Sequence, residues 1–200
     1  MKNNARSLVL FAVLLAAASA APFVSTYWEA WNMEYPGDYG ALMTNADYGG
    51  FGSGKGYNTV NIAFGDYTFA ADENGELSIG FVNEQYTASG ELYTPKKMRA
   101  DIEAMHQLDV QVKVSFGGAT FSMASHINSE DQAKSFCKKV GQLMTQNNLD
   151  GVDFDCESGT PSNLQLAVLK HCREAITDGR YMSYTIPGAA LNTEPYRSVV

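Results

Sequence analysis

The chain is 200 residues long, 45% hydrophobic, 12% aromatic and 18% charged, with a formal net charge of −8. That apolar fraction supports a packed core and excludes a disordered or fibrous chain, and no segment repeats. The acidic balance excludes nucleic acid and anionic membranes as partners, because both reward basic patches, and it is compatible with a neutral polymer.

Residues Met1 to Ala20 carry Lys2 and Arg6, an apolar run from Leu8 to Ala18, and the small-residue triplet Ala18-Ser19-Ala20. This is the pattern of a secretory signal peptide, cut after Ala20. The run is shorter than the ~20 residues that span a bilayer, so a membrane anchor is the weaker reading. Residues 21–200 are expected to form part of one soluble, secreted, extracellular domain.

Phe23-Val24-Ser25-Thr26-Tyr27 reads as a first strand, with Trp28 and Trp31 at its C-terminal end. Tyr57 to Phe64 reads as a second, followed by a polar, Gly-rich loop with Asp66, Tyr67 and Phe69 and a small hairpin through Glu76 to Val82. A helix is expected from Pro95 to Leu108, capped by Thr94, with Met98, Ile102, Met105 and Leu108 on its buried face. Val110 to Gly118 is a β-branched run that ends in Ser115 and the pair Gly117-Gly118, as a strand does where it opens into a loop. The next helix spans Glu130 to Gln146, capped by Ser129, with Ala133, Phe136, Val140 and Leu143 in register.

Leu149-Asp150-Gly151-Val152-Asp153-Phe154-Asp155-Cys156-Glu157 follows as a fourth strand, with four carboxylates in an otherwise apolar run. Side chains alternate along a strand, so Asp153, Asp155 and Glu157 share one face while Phe154 and Cys156 take the other. Asp150 falls out of phase and is read as a structural acid at the strand's start. Burying carboxylates is costly unless partners or function retain them, and three on one face suggest a catalytic row. A helix from Ser162 to Thr177, burying some of Leu164, Leu166, Val168 and Leu169, and a fifth strand from Tyr181 to Pro187 complete the series.

Repeated strand-helix alternation implies a parallel sheet with right-handed crossovers, either an open doubly wound sheet or a barrel. Acids at the carboxyl end of a strand favour the α/β (β/α)8 TIM barrel, where the chemistry sits at that end. A whole barrel typically takes ~250 residues, so the chain is read as roughly the first five β/α units. Cys137, Cys156 and Cys172 allow one disulfide and one thiol without fixing the pairing. His106, His126 and His171 are scattered, which argues against zinc and for helix-surface or loop positions.

The spacing Asp-x-x-Asp-x-Asp-x-Glu over residues 150–157 resembles the strand-4 motif of glycoside hydrolase family 18, the chitinase family. Ser115-Phe116-Gly117-Gly118 resembles that family's strand-3 signature, Ser-x-Gly-Gly. Four acids at fixed spacing arise by chance in on the order of a few per thousand chains of this length, so coincidence is a poor rival. A calcium loop fits worse, since Val, Phe and Cys occupy positions that a polar ligand loop would fill.

The resemblance implies roles for named residues. Glu157 would be the general acid, its pKa raised by burial and neighbouring carboxylates. Asp155 would orient the substrate's own 2-acetamido group, which serves as nucleophile, and Asp153 would support Asp155 by a hydrogen bond or shared proton. Asp150, Ser115, Gly117 and Gly118 would be supporting residues, and Tyr27, Trp28 and Trp31 would be sugar-stacking platforms. The family's later Tyr and its floor Trp would lie beyond Val200. The implied partners are chitin or N-acetylglucosamine oligosaccharides, with no cofactor, no metal, no nucleic acid and no membrane, and a monomer when full length. An endo-β-N-acetylglucosaminidase of the same family and a non-hydrolytic chitin-binding lectin are the alternatives. Relatives of the lectin kind commonly lose the acid that Glu157 matches.

Overall fold

The computed structural model describes residues 25–29, 57–68, 78–81, 95–119, 127–157, 163–176 and 179–185. In chain order the elements are β1 (Ser25–Glu29), β2 (Thr59–Ala63), β3 (Gly65–Thr68), β4 (Ser78–Phe81), α1 (Pro95–His106), β5 (Gln111–Gly117), α2 (Glu130–Gln146), β6 (Gly151–Asp155), α3 (Asn163–Ala175) and β7 (Tyr181–Thr185). Strands β1, β2, β5, β6 and β7 form one sheet in that order, every pair parallel, while β3 and β4 pair antiparallel as a separate hairpin.

The sheet is strongly rolled. Flat, it would hold β1 and β6 three strand spacings apart, roughly 14 Å, and β1 and β7 four spacings apart, roughly 19 Å. Yet the Tyr27 hydroxyl on β1 lies 2.8 Å from Asp153 Oδ2 on β6 and 2.8 Å from Thr185 Oγ1 on β7. One tyrosine side chain closes those gaps only if the strands curve around a common axis, as they do in a barrel.

Register then sorts the side chains. Ala63, Ser115, Asp153 and Ser183 lie level across β2, β5, β6 and β7, with Asn61, Lys113, Gly151 and Tyr181 one layer below. This concave face is polar. The alternate residues Val60, Ile62, Val112, Val114, Phe116, Val152 and Phe154 face outward and are fully buried against the helices. They pack with Met98, Ile102 and Met105 of α1, Phe136, Val140 and Met144 of α2, and Val168 and Leu169 of α3. Phe116 meets Phe136 edge to face at 5.3 Å between ring centroids, a favoured aromatic geometry. The layout of apolar outside and polar inside is why each of these strands reads as an alternating pattern.

The helices form where caps and periodicity place them. Ser129 caps α2 by accepting from the Gln132 N–H, and Gln132 Oε1 accepts in return from the Asn128 N–H. Cys137 of α2 and Cys172 of α3 form a disulfide, which leaves Cys156 as a buried thiol. Among the described residues no helix is long and apolar enough to cross a membrane.

Several expectations are corrected at their edges. Phe23 and Val24, expected in the first strand, lie outside the described residues, and the strand continues through Trp28 to Glu29, so that tryptophan is not beyond the strand but in it. The stretch expected as a loop after the second strand contains β3, so Asp66 and Tyr67 belong to the hairpin. Helix α1 ends at His106, and Leu108, expected on its buried face, is 42% exposed in the following turn, where Asp109 takes a left-handed φ of 60°. In α3 the buried polar residue is Gln165, while Leu164 and Leu166 are only half-buried. Thr94, Phe69, Glu76, His126 and the segment Met1–Ala20 lie outside the described residues.

Candidate active site

The site is built on the concave face at the carboxyl ends of β5 and β6. Asp153 is 1% exposed and is the hub. Its Oδ2 accepts from the Tyr27 hydroxyl at 2.8 Å and the Ser115 hydroxyl at 2.7 Å, and its Oδ1 accepts from Ser183 Oγ at 2.5 Å and, more weakly, Thr185 Oγ1 at 3.4 Å. A group ringed by donors on both oxygens is an acceptor, and only the carboxylate form can take all of these bonds. Burial and the neighbouring Asp153 charge hold the Tyr27 phenol above its ordinary range, so it stays a donor.

Asp155 sits in the opposite environment. It is buried, its Oδ1 has no hydrogen-bond partner among the described residues, and its pKa is pushed up to about 7. Burial is the largest cause, followed by the charges of Glu157 and Asp153 and a hydrogen bond to Glu157. Adjacent acids in environments this different are suited to different roles in acid–base chemistry. Glu157, just past the end of β6, is exposed at the mouth. The burial that the sequence suggested for Glu157 therefore falls on its neighbour Asp155.

The paired glycines have a steric reason. Gly117 lies level with Asp155 in the β5–β6 register, at φ +127°, and a Cβ there would fall 2.0 Å from the Asp155 carbonyl oxygen. Gly118 N–H then donates 2.8 Å to that same carbonyl. The two residues let β5 and β6 stay paired up to the acid, which fixes the backbone carrying it.

The remaining site residues separate. Ser115 joins Asp153, as above. Asp150 lies at the other end of β6, where its Oδ2 accepts from the Val112 N–H at 2.7 Å and lies 2.8 Å from His106 Nε2. It ties β5, β6 and α1 together, remote from the row. Tyr27 is 40% exposed and reaches the row through its hydroxyl, a hydrogen-bonding position that a stacking role does not require. Trp28 is 7% exposed and sits in the core on the opposite face of β1, so strand alternation removes it from the sugar-platform set. Trp31 lies outside the described residues. Cys156 faces the helix layer, where burial pushes its thiol up to about 11 beside the Tyr184 hydroxyl.

Sequence reasoning passed over Lys113, Ser183 and Thr185. Lys113 is 2% exposed on the concave face, and its Nζ donates 2.7 Å to Ser183 Oγ. The signal was present: Lys113 and Ser115 share a strand face, as do Ser183 and Thr185, and strand order brings both pairs alongside Asp153. Among the described residues no group of three or more His, Cys, Asp or Glu is placed to hold a metal ion.

A family model for Glycosyl hydrolases family 18 matches residues 24–195. The chain belongs to that family. No curated protein matches it at a significant level. Among solved structures it is similar to a putative chitinase A from Streptomyces coelicolor, at 22% identity and TM-score 0.57 over 81% of this chain and 49% of that one. A family 18 chitinase from Pseudoalteromonas aurantia matches at 20% identity and TM-score 0.56, over 82% and 55%. EndoBT-3987 of Bacteroides thetaiotamicron, solved with a Man5GlcNAc product, matches at 17% identity and TM-score 0.57, over 83% and 38%. At these identities the likeness shows the fold, and the chain spans about half the length of the chitinases. The five parallel strands of this family 18 chain are an arc of the (β/α)8 barrel, and the acid row stands at its carboxyl-end rim.

Proposed function

We propose that the complete protein is a secreted, chitinase-like hydrolase that cleaves β-1,4-linked N-acetylglucosamine polymers with retention at the anomeric carbon. The observation that carries this reading is the split along one strand face: Asp153 saturated by hydroxyl donors, Asp155 raised to about 7, and Glu157 open to the mouth. A glycosidase needs such a pairing of proton donor and fixed anion. Secretion rests on the Met1–Ala20 pattern and is in keeping with the Cys137–Cys172 disulfide.

Glu157 gives its proton to the glycosidic oxygen as the bond from that oxygen to C1 breaks. The carbonyl oxygen of the 2-acetamido group attacks C1 from the other face and closes an oxazolinium ring. Asp155, through its open oxygen, accepts the acetamido N–H, which makes the carbonyl a better nucleophile. Asp153 stays anionic beneath it. Water then adds to C1, Glu157 takes the water proton, and the ring reopens with the original configuration restored.

Because the nucleophile belongs to the substrate, fully deacetylated chitosan oligomers should not be cleaved while chitin oligomers of the same length are. Equal turnover of the two would end the substrate-assisted reading. The second reading, an endo-β-N-acetylglucosaminidase acting on glycoprotein glycans, is favoured by the likeness to EndoBT-3987, which was also solved with a Man9GlcNAc2Asn substrate. Product analysis on a high-mannose glycopeptide against chitin oligomers separates them. A non-hydrolytic lectin is disfavoured by the retained Glu157.

A further inference from the structure

We infer that Lys113 is a positioning residue of the acid row: buried beneath it, Lys113 acts through Ser183 to hold Asp153 as a carboxylate, so that the mobile proton stays with Asp155 and Glu157. The five parallel strands contain one basic residue, and this is it. A lysine buried to 2% exposure is strongly disfavoured unless a charge or hydrogen bond compensates, and burial does lower its pKa while Asp153 opposes that shift. The compensation is directional. Lys113 Nζ donates to Ser183 Oγ at 2.7 Å, and the single proton of Ser183 goes to Asp153 Oδ1.

The fold makes room for this lysine. Its register partner on β6 is Gly151, and a Cβ there would lie 3.0 Å from Lys113 Cγ. The groups that share its concave face are Asp153 and Asp155 from β6, Tyr27 from β1, Asn61 from β2, and Tyr181 and Ser183 from β7. Glu29 of β1 lies in register with Ala63 on the same face, and among the described strand side chains Asp153 and Asp155 are the acids. Lys113 lies one layer below Ser115, on the side away from the mouth, so it acts on Asp153 and not on substrate. A cation there favours the charged form of Asp153, and that charge in turn is one of the causes that keep a proton on Asp155.

This inference rests on the hydrolase reading above, and its test separates the two. Carboxyl carbons are followed by NMR through a pH titration of the complete protein, wild type against Lys113→Met and Ser183→Ala. Lys113→Met should let the proton pass from Asp155 to Asp153 and so move the titration midpoint of Asp155 downward by on the order of one pH unit. Ser183→Ala, which keeps the charge and breaks the relay, should give a smaller downward movement. The acidic limb of kcat/KM should follow the same shift, with KM little changed, which a merely structural lysine would not produce. Unmoved midpoints in both variants overturn the inference. Should Lys113→Met fail to fold, unmoved midpoints in Ser183→Ala overturn it alone. Wild-type protein without turnover at any pH would remove the hydrolase reading, while the midpoints still decide the role of Lys113.

Discussion

The Tyr27 hydroxyl donates to Asp153 Oδ2 at 2.8 Å across 126 residues of sequence and three strand spacings of sheet. That bond reports the curvature of the sheet and the state of the acid at once, since it forms only if the strands roll together and only if Asp153 accepts. Ser115 donates to the same oxygen at 2.7 Å.

Removing either donor should weaken catalysis without unfolding the protein. A hydrogen bond to a charged group is worth about 1.5–3 kcal/mol, so Tyr27→Phe and Ser115→Ala should each lower kcat by roughly ten- to a hundred-fold. Steady-state kinetics with a chitobiose aglycone substrate, beside unchanged far-UV circular dichroism, checks this. Wild-type kcat in both variants would mean that the Asp153 network is structural alone.

The raised pKa of Asp155 carries a stability signature. Its folded value of about 7 lies above the ordinary carboxyl value of 3.8, so the native state holds a proton that the unfolded state releases. That contribution is complete below about pH 4 and is lost as pH rises through about 7. Asp155→Asn keeps the shape and removes the titration. It should therefore be more stable than wild type at pH 8 by on the order of 1–3 kcal/mol, and the difference should vanish near pH 4. Urea unfolding at the two pH values measures it.

Gly117→Ala tests the junction between the strand pair and the acid. Its Cβ would meet the Asp155 carbonyl oxygen at 2.0 Å, at a φ of +127° that side chains resist. Neither backbone can yield without breaking the β5–β6 pairing, so destabilisation of about 3 kcal/mol or more is expected. A melting temperature within a degree of wild type would contradict this placement.

The disulfide closes a separation of 35 residues between Cys137 and Cys172. Loop-closure entropy for that length gives about 3–4 kcal/mol, so Cys137→Ala/Cys172→Ala should lose that much in denaturant unfolding. Cys156→Ala removes no bridge and should cost about 1 kcal/mol or less as a small buried change.

Much of the fold was legible because the sheet is two-sided in a simple way. Outward Val60, Val112, Val114 and Val152 alternate with inward polar residues, and Ser129 marks the start of α2 at the expected residue. The phase of Asp153 and Asp155 could be read from strand alternation alone. The face of Lys113 could be read in the same way, but its burial could not, because a lysine in a β-branched run reads as solvent-facing until the sheet is rolled and its concave face becomes an interior. Trp28 was misplaced by two residues of strand boundary, enough to exchange a rim position for the core. Leu108 was carried by helical periodicity past the point where the turn at Asp109 ends α1. The Cys137–Cys172 pairing depends on how α2 and α3 pack, which spacing along the chain does not encode.

The most direct test of the acid row is the comparison of wild-type and Glu157→Gln protein, in the complete chain, for turnover of chitin oligomers and for binding of the same oligomers. Glutamine keeps the side chain's shape and cannot deliver the proton, so turnover should fall by at least about a thousand-fold while the dissociation constant changes little. Turnover that persists near the wild-type rate would contradict Glu157 as the general acid and with it the chemistry assigned to Asp153 and Asp155.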